Sequence, residues 1–259
     1  MIKLLNGEEW QEADILKRMD DDSFYYGHLG QNALSSSSLK KLLQSPKAYQ
    51  ASLRMSDNTS ALREGRLVHL AVLEKHKLQD LVIINGTKAK KEFKDAVAEH
   101  GDHMVYTESE MNSAYWIAEA VNNNSEVKYL LSDCDYEVSG VGMIEDLPFR
   151  AKADAITKDK SVIVDLKTTS KNVADFYWAA KNFKYSLQAA LYLKIFGAQE
   201  FIFVVVQKDT KDIGIFTCSE EFLETGESQI LSGIQVYKDF FLQPNTEDLI
   251  RNNVIRGIL

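Results

Sequence analysis

Proline, cysteine and long apolar runs are all scarce in this chain, and each scarcity excludes a class of architecture. Three prolines in 259 residues, with no internal repeat and no low-complexity stretch, leave no composition-marked linker, so the sequence predicts a single domain over residues 1–259. The two cysteines, Cys134 and Cys218, are far apart and lack the paired spacing of a zinc or redox site, which predicts a reducing, cytoplasmic setting. An iron–sulfur cluster needs about four cysteines, and none is expected. The longest purely apolar run, Phe201 to Val206, is six residues, far below the roughly 20 that cross a bilayer. Met1-Ile2-Lys3-Leu4-Leu5 is followed at once by Glu8 and Glu9, so neither a signal peptide nor a membrane partner is expected.

Positive charge is also in deficit: 30 Lys and Arg against 38 Asp and Glu give a net charge of −8. That opposes a nucleic-acid partner, whose binding depends on neutralising phosphates. It does not exclude one, because charge distribution counts for more than the sum and a metal-binding enzyme must itself hold carboxylates. Lys40, Lys41, Lys47, Arg63, Arg66, Lys88, Lys90, Lys91, Lys94, Arg150 and Lys152 are the candidates for lining one basic channel.

Residues 1–30 show no clear period and read as a loosely packed arm with some helix. From 31 to 130 the pattern is mainly helical. Ser35 to Ser38 precede an apolar helical pattern as caps do, Thr59 and Ser60 do the same for residues 59–74, and Thr107-Glu108-Ser109-Glu110 reads as a capping box for a helix to about Asn122. Near residue 133 the period changes to that of strands, which continue through Phe149 to Ile156 and Ser161 to Lys167. A helical stretch over about 173–196 ends at Gly197; Phe201 to Val206 reads as a buried central strand, paired with Ile213 to Thr217; a helix over about 219–241 and a polar tail follow. The predicted class is α/β, with a central mixed β-sheet flanked by helices and a helical N-terminal half.

Two strands carry charge on one side. In Phe149 to Ile156, alternation places Arg150, Lys152 and Asp154 on one face and Phe149, Ala151, Ala153 and Ala155 on the other; in Val162 to Lys167 it groups Asp165 with Lys167. A hairpin with Asp159 and Lys160 at its tip sets Asp154 opposite Asp165 and Lys152 opposite Lys167, provided the register does not slip. Opposed carboxylates are destabilising, and a hard divalent cation such as Mg²⁺ compensates them. A solvated hairpin face on which Lys152 and Lys167 neutralise the aspartates produces the same alternation.

Ala153-Asp154 followed by Asp165-Leu166-Lys167 resembles the signature of the PD-(D/E)xK nuclease superfamily, with alanine in place of the usual proline. Gly65 to Glu74 resembles the helix bearing the upstream histidine of RecB-type nucleases, and Gln188-Ala189-Ala190-Leu191-Tyr192 their QxxxY pattern. Leu34 to Tyr49, Gly65 to Glu74 and Phe149 to Thr169 together resemble the nuclease domain of RecE-type phage exonucleases. The resemblance implies a restriction-endonuclease-like core. It implies Asp154, Asp165, the Leu166 carbonyl and His69 as metal ligands, with Glu137 and Glu74 as weaker candidates. Lys167 would act on the water or transition state, and Gln188 and Tyr192 would brace the site or touch DNA. Ser35, Ser37, Lys40 and Lys41 offer a phosphate receptor at a helix N-terminus, with Arg66, Arg150, Lys152 and Thr168 as further DNA contacts; capping explains the serines equally, and a solvated helix face explains Lys88 to Lys91.

The activity implied is Mg²⁺-dependent hydrolysis of one strand of linear duplex DNA from its end, Mn²⁺ substituting. On the same analogy digestion is processive and 5′ to 3′, leaving a 3′ overhang for a single-strand-annealing recombinase, and a homo-oligomeric ring encircles the DNA. An endonuclease on the same fold and a catalytically silent DNA-binding or interaction module are the rival readings.

Overall fold

The structure, a computed structural model, describes residues 1–54 and 59–254. At its centre lies a five-stranded sheet whose spatial order follows the chain: β1 (Cys134–Ile144), β2 (Leu147–Thr157), β3 (Val162–Thr169), β4 (Glu200–Gln207) and β5 (Ile213–Thr217). All neighbours are antiparallel except β3 and β4. A parallel pair needs a long crossover, and residues 173–196 supply it. This is the mixed sheet the sequence predicts.

Five of the helices around it bear on the site: α1 (Ser36–Gln44), α2 (Ser60–Leu73), α3 (Glu108–Asn123), α4 (Tyr185–Phe196) and α5 (Glu220–Phe241). The starts of α1, α2, α3 and α5 follow from side chains that satisfy free backbone N–H groups. Ser35 accepts from Ser38 N, Thr59 from Leu62 N and Ser219 from Phe222 N; Thr107 and Glu110 cap α3 reciprocally, as a capping box does.

Alternation along β4 shows why the sheet is covered on both sides. Ile202, Val204 and Val206 pack with Val164 and Leu166 of β3 against Leu67 and Val68 of α2 and Ala114, Ile117 and Val121 of α3. Phe201, Phe203 and Val205 pack the other way, with Ile163, Phe176 and Ala189. A third cluster joins Phe149 of β2 to Leu39 and Leu42 of α1, Leu187 and Leu191 of α4, and Ile230 and Ile234 of α5. Helix α2 is pinned from its other side by Arg63, whose guanidinium is buried and bonded to Asp102, Glu110 and the carbonyls of Asp102 and Val105. Arg63 is therefore a structural tie and not part of a basic channel, and Lys88 is likewise paired with Glu110 at 2.8 Å.

The structure departs from the sequence reading at several places. Residues 1–30 are packed, with Ile2, Leu4, Ile15, Met19, Phe24 and Leu29 buried in a cluster of their own against Val141 of β1. Their apolar positions are spread over a strand pair, a helix and a π-helix, Ser23–His28, so no single period reveals them. The helical stretch 173–196 is broken into Val173–Asp175, Phe176–Asn182 and α4, with Lys184 at φ +50° at the last break. A short parallel pair, Val82–Ile84 with Val105–Thr107, interrupts the helical half. Part of the expected polar tail is a helix, Thr246–Arg251, while residues 255–259 lie outside the described residues.

Alternation along β2 also breaks. Ala153 packs with Ile156 and Ile163 on the α4 side, whereas Ala155 packs with Val164 and Leu67 on the α2 side, so these alanines do not share a face. The break falls at Asp154.

Helices α4 and α5 touch at Gly226, where a Cβ would stand 2.1 Å from the Ser186 carbonyl oxygen. Backbone cannot yield as a side chain does, so Gly226→Ala is expected to destabilise the protein by about 1–3 kcal/mol, the usual cost of overpacking. Urea denaturation should show it as a lower midpoint; an unchanged midpoint would refute the close contact.

Candidate active site

The paired strands β2 and β3 carry the site. Their ladder has two residue pairs, Ala155 with Val164 and Ile156 with Ile163, the register that sets Asp154 toward Asp165. Beyond these pairs the side chain of Asp154 replaces a backbone partner: Leu166 N donates to Asp154 Oδ2 at 2.8 Å. The Leu166 carbonyl meets His69 Nε2 of α2 at 2.7 Å. A carbonyl can only accept, so His69 Nε2 carries the proton.

The other ring nitrogen, Nδ1, faces Asp154 Oδ2 at 3.5 Å and is an acceptor whenever it carries no proton. Glu137 of β1 adds a third acceptor, and one donor atom from each of His69, Glu137 and Asp154 lies within 4.8 Å of the others. Two carboxylates and an imidazole nitrogen converging in this way fit a divalent cation, which relieves the repulsion among them. Burial, and after it the charge of Asp154, pushes the Glu137 carboxyl up to about 7. Glu137 holds φ +51°, a left-handed conformation that few non-glycine residues adopt.

Asp165 is enclosed at 1 % exposure and faces the α4 side. Gln188 Nε2 donates to its Oδ1 at 2.6 Å, and Oδ2 is ion-paired with Lys167. Burial pushes the Asp165 carboxyl up to about 6 against the pull of Lys167. Burial also works against the Lys167 ammonium, but Asp165 and Asp154 outweigh it and hold its pKa above the ordinary lysine value. The pair is ionic at neutral pH. Tyr192 is half-buried on α4 near Phe196 and Phe201, where burial of its hydroxyl raises the pKa.

Of the residues singled out in the sequence, Asp154, Asp165, Leu166, Lys167, His69, Glu137 and Gln188 thus come together. Lys40 joins them from α1: its ammonium stands 5.0 Å from the Tyr185 ring and that of Lys167 stands 5.2 Å from it. Burial, then the neighbouring Lys167, lowers the Lys40 pKa to about 8. Ser35 is a buried cap bonded to Ser37 and Ser38, while Ser37 is exposed and Lys41 half-buried on α1. Thr168 is half-buried on β3. Arg150 and Lys152 lie against the Tyr25 ring at 4.5 and 4.8 Å, and Arg66 pairs with Asp22, so these three line the N-terminal arm. Glu74 caps the end of α2 and pairs with Lys77 at 2.5 Å.

Sequence reasoning missed Tyr185 and the arm residues Tyr25 and Tyr26. Tyr185 had a signal, since residues 185, 188 and 192 share one face of a helix. Tyr25 and Tyr26 had none, because only the fold brings a π-helix over β2.

The Glu137 carboxyl fixes a pH dependence for the metal-free protein. Its ordinary value is 4.5 and its folded value about 7, so between these the folded state binds more protons than the unfolded one and stability falls as pH rises. Asp165 acts in the same direction between 3.8 and about 6. In chelator, the melting temperature of the native protein should drop more from pH 5 to pH 8 than that of Glu137→Gln, measured by calorimetry. Parallel curves for the two proteins would contradict the burial of this carboxylate.

Comparison with known proteins bears on the fold. In sequence, no curated protein matches the chain. Among solved structures, it is similar to a "putative exonuclease" from Eubacterium rectale, with a TM-score of 0.60 and 16% identity over 92% of this chain and 95% of that one. That likeness shows a shared fold. A phage related exonuclease from Haemophilus somnus 129PT is 13% identical over 80% of this chain and 94% of that one, and its TM-score of 0.36 carries no argument. The family model described as a PDDEXK-like domain of unknown function matches residues 35–244, a span that takes in α1, the His69 helix, the whole sheet, and both Asp165 and Gln188. On that match the chain belongs to the family of PDDEXK-like domains of unknown function (DUF3799).

Proposed function

We propose that the protein is a divalent-metal-dependent deoxyribonuclease, and within that class an exonuclease acting on the ends of linear duplex DNA. The observation that carries the reading is the convergence of His69, Glu137 and Asp154 beside the buried Asp165–Lys167 pair. In this reading His69, Glu137 and Asp154 hold the ion, and Mg²⁺, with Mn²⁺ as a substitute, suits the two carboxylates. What the ion supplies when bound is polarisation of a phosphodiester and a more acidic water.

The chain's own residues do the rest. Gln188 holds the Asp165 carboxylate, and Asp165 in turn holds the Lys167 ammonium, which stays protonated and donates to a phosphate oxygen as negative charge builds there. Asp165 lies close enough to Asp154 for their charges to interact, and in the proposal it adds to the negative field that attracts the ion. Lys40 supplies a second cation across the Tyr185 ring, and Lys152 and Arg66 offer phosphate contacts along the arm, where Arg150 is buried against the Tyr25 ring. The Tyr185 ring keeps the two ammonium groups on one wall of the cleft.

The finer terms rest on the sequence segments resembling RecE-type exonucleases. They are strand polarity from 5′ to 3′, processivity, a 3′ overhang passed to an annealing recombinase, and a ring of copies around the duplex.

Incubation with linear and covalently closed circular duplexes, each with Mg²⁺ and with EDTA, tests the reading. Linear DNA should be degraded only with metal and the circle left intact. Cutting of the circle would make it an endonuclease, and cutting of neither would end the nuclease reading. In single-turnover assays at saturating Mg²⁺, Lys167→Ala should slow cleavage on the order of 10²- to 10³-fold, the loss when one transition-state donor is removed. Asp154→Asn should instead weaken metal binding and cleavage together, read by calorimetry beside the same assay.

A further inference from the structure

Between strand β3 and Tyr185 the chain makes an excursion that the catalytic proposal does not use. Two residues beyond Lys167 strand β3 ends, and the short helix Phe176–Asn182 precedes α4. This helix buries Phe176 and Ala180, one turn apart, with Phe176 packed on Phe203 and Phe216 at 5.6 and 5.0 Å. Its other aromatic rings face water. Tyr177 and Trp178 are 60% exposed and Phe183 61%, an unfavourable display of large apolar surface that nothing in the packing of the helix requires.

Three further features give this surface a chemistry. Residues 170–185 hold Lys171, Lys181 and Lys184 against the single Asp175, a local charge of three minus one, or +2, in a chain of −8. None of these lysines has an ion-pair partner among the described residues. Lys181 lies three and four residues from Trp178 and Tyr177, hence on their face of the helix. The rings also run into the site: Phe183 stacks on Tyr185 at 5.8 Å, and Tyr185 carries the ammonium groups of Lys40 and Lys167.

We infer that Tyr177, Trp178 and Phe183, with Lys171, Lys181 and Lys184, form a stacking platform for unpaired bases of the DNA strand that leads to or from the active site. Exposed rings interleaved with cations are the means by which proteins hold single strands without reading sequence, since every base has a π-face and every nucleotide a phosphate. A duplex buries its base faces, so the platform addresses unpaired nucleotides. A protein partner is the poorer fit: interfaces are depleted of lysine, and no exposed Leu, Ile, Val or Met accompanies the rings in this segment. The inference rests on the nuclease reading for its substrate, but its test does not depend on cleavage.

That test is binding of oligo-dT to the full chain in EDTA, followed by tryptophan emission and by anisotropy of a labelled strand. Oligo-dT should quench the native protein, and the quenching should be lost in Trp178→Phe. Tyr177→Ala, Trp178→Ala and Phe183→Ala, all at exposed positions, should each weaken binding by about five- to a hundred-fold, the range for removal of one stacking ring. An abasic strand of equal length keeps the phosphates and should bind more weakly than oligo-dT. Equal binding of the two strands, or unchanged oligo-dT affinity in the alanine variants, would overturn the inference and leave the rings to a protein partner. Failure of the nuclease reading would show separately, as intact linear duplex in Mg²⁺; cleavage without quenching would remove the platform alone.

Discussion

Leu166 has no strand partner on its β2 side, and two side chains stand in for one. Its N–H is taken by Asp154 and its carbonyl by His69, while on the other side β3 pairs with β4 along its whole length. Backbone groups buried without partners cost about 1–3 kcal/mol each, so the sheet can splay here only because these side chains are present. The same bonds fix Asp154 and His69 against a rigid strand. Position is therefore imposed on two candidate metal ligands by the requirement to satisfy the backbone, and the break in alternation at Asp154 is the local form of that exchange.

The splay gathers negative charge, and two of the carboxylates, Asp165 and Glu137, meet the repulsion differently. Asp165 is fully enclosed but has a cation and an amide fixed to it, so its charge is compensated inside the protein. Among the described residues no cation is bonded to Glu137, which, buried and next to Asp154, retains its proton to about pH 7. Its left-handed backbone adds strain at the same residue, and such strain persists only where surrounding structure over-determines it. The unfavourable terms concentrate on the residue that a divalent cation would relieve.

The alternation of Asp165 and Lys167, the capped starts of α1, α2 and α3, and the buried strand Phe201 to Val206 were all legible in the sequence, because each follows from a local period or a cap. The reach of His69 to Leu166 was expected as proximity to the metal site, but not as a hydrogen bond to the backbone. Glu137 ranked low because its importance comes from lying on β1 across from Asp154 of β2, a relation between strands that no local pattern expresses. Arg63 looked like a channel residue because composition cannot distinguish an arginine facing phosphate from one closing a buried network with Glu110 and Asp102. Ala155 was assigned to the wrong face because strict alternation has no way to anticipate where a strand will break it.

The net charge of −8 loses most of its force once positions are known. At physiological ionic strength charges interact appreciably over about 8 Å, so distant surface carboxylates are screened from the cleft while Lys40 and Lys167 stand within it. Those lysines are partly buried, where screening is weakest, and burial, with the charge of Lys167 after it, lowers the Lys40 pKa to about 8. Two ammonium groups on one ring create a site that favours an anion, since a phosphodiester between them relieves their mutual repulsion. The carboxylates opposite would repel the same phosphate unless a cation neutralised them. Anion affinity and cation affinity are thus coupled in this cleft, and the proposed phosphodiester substrate and divalent ion each remove the electrostatic objection to the other.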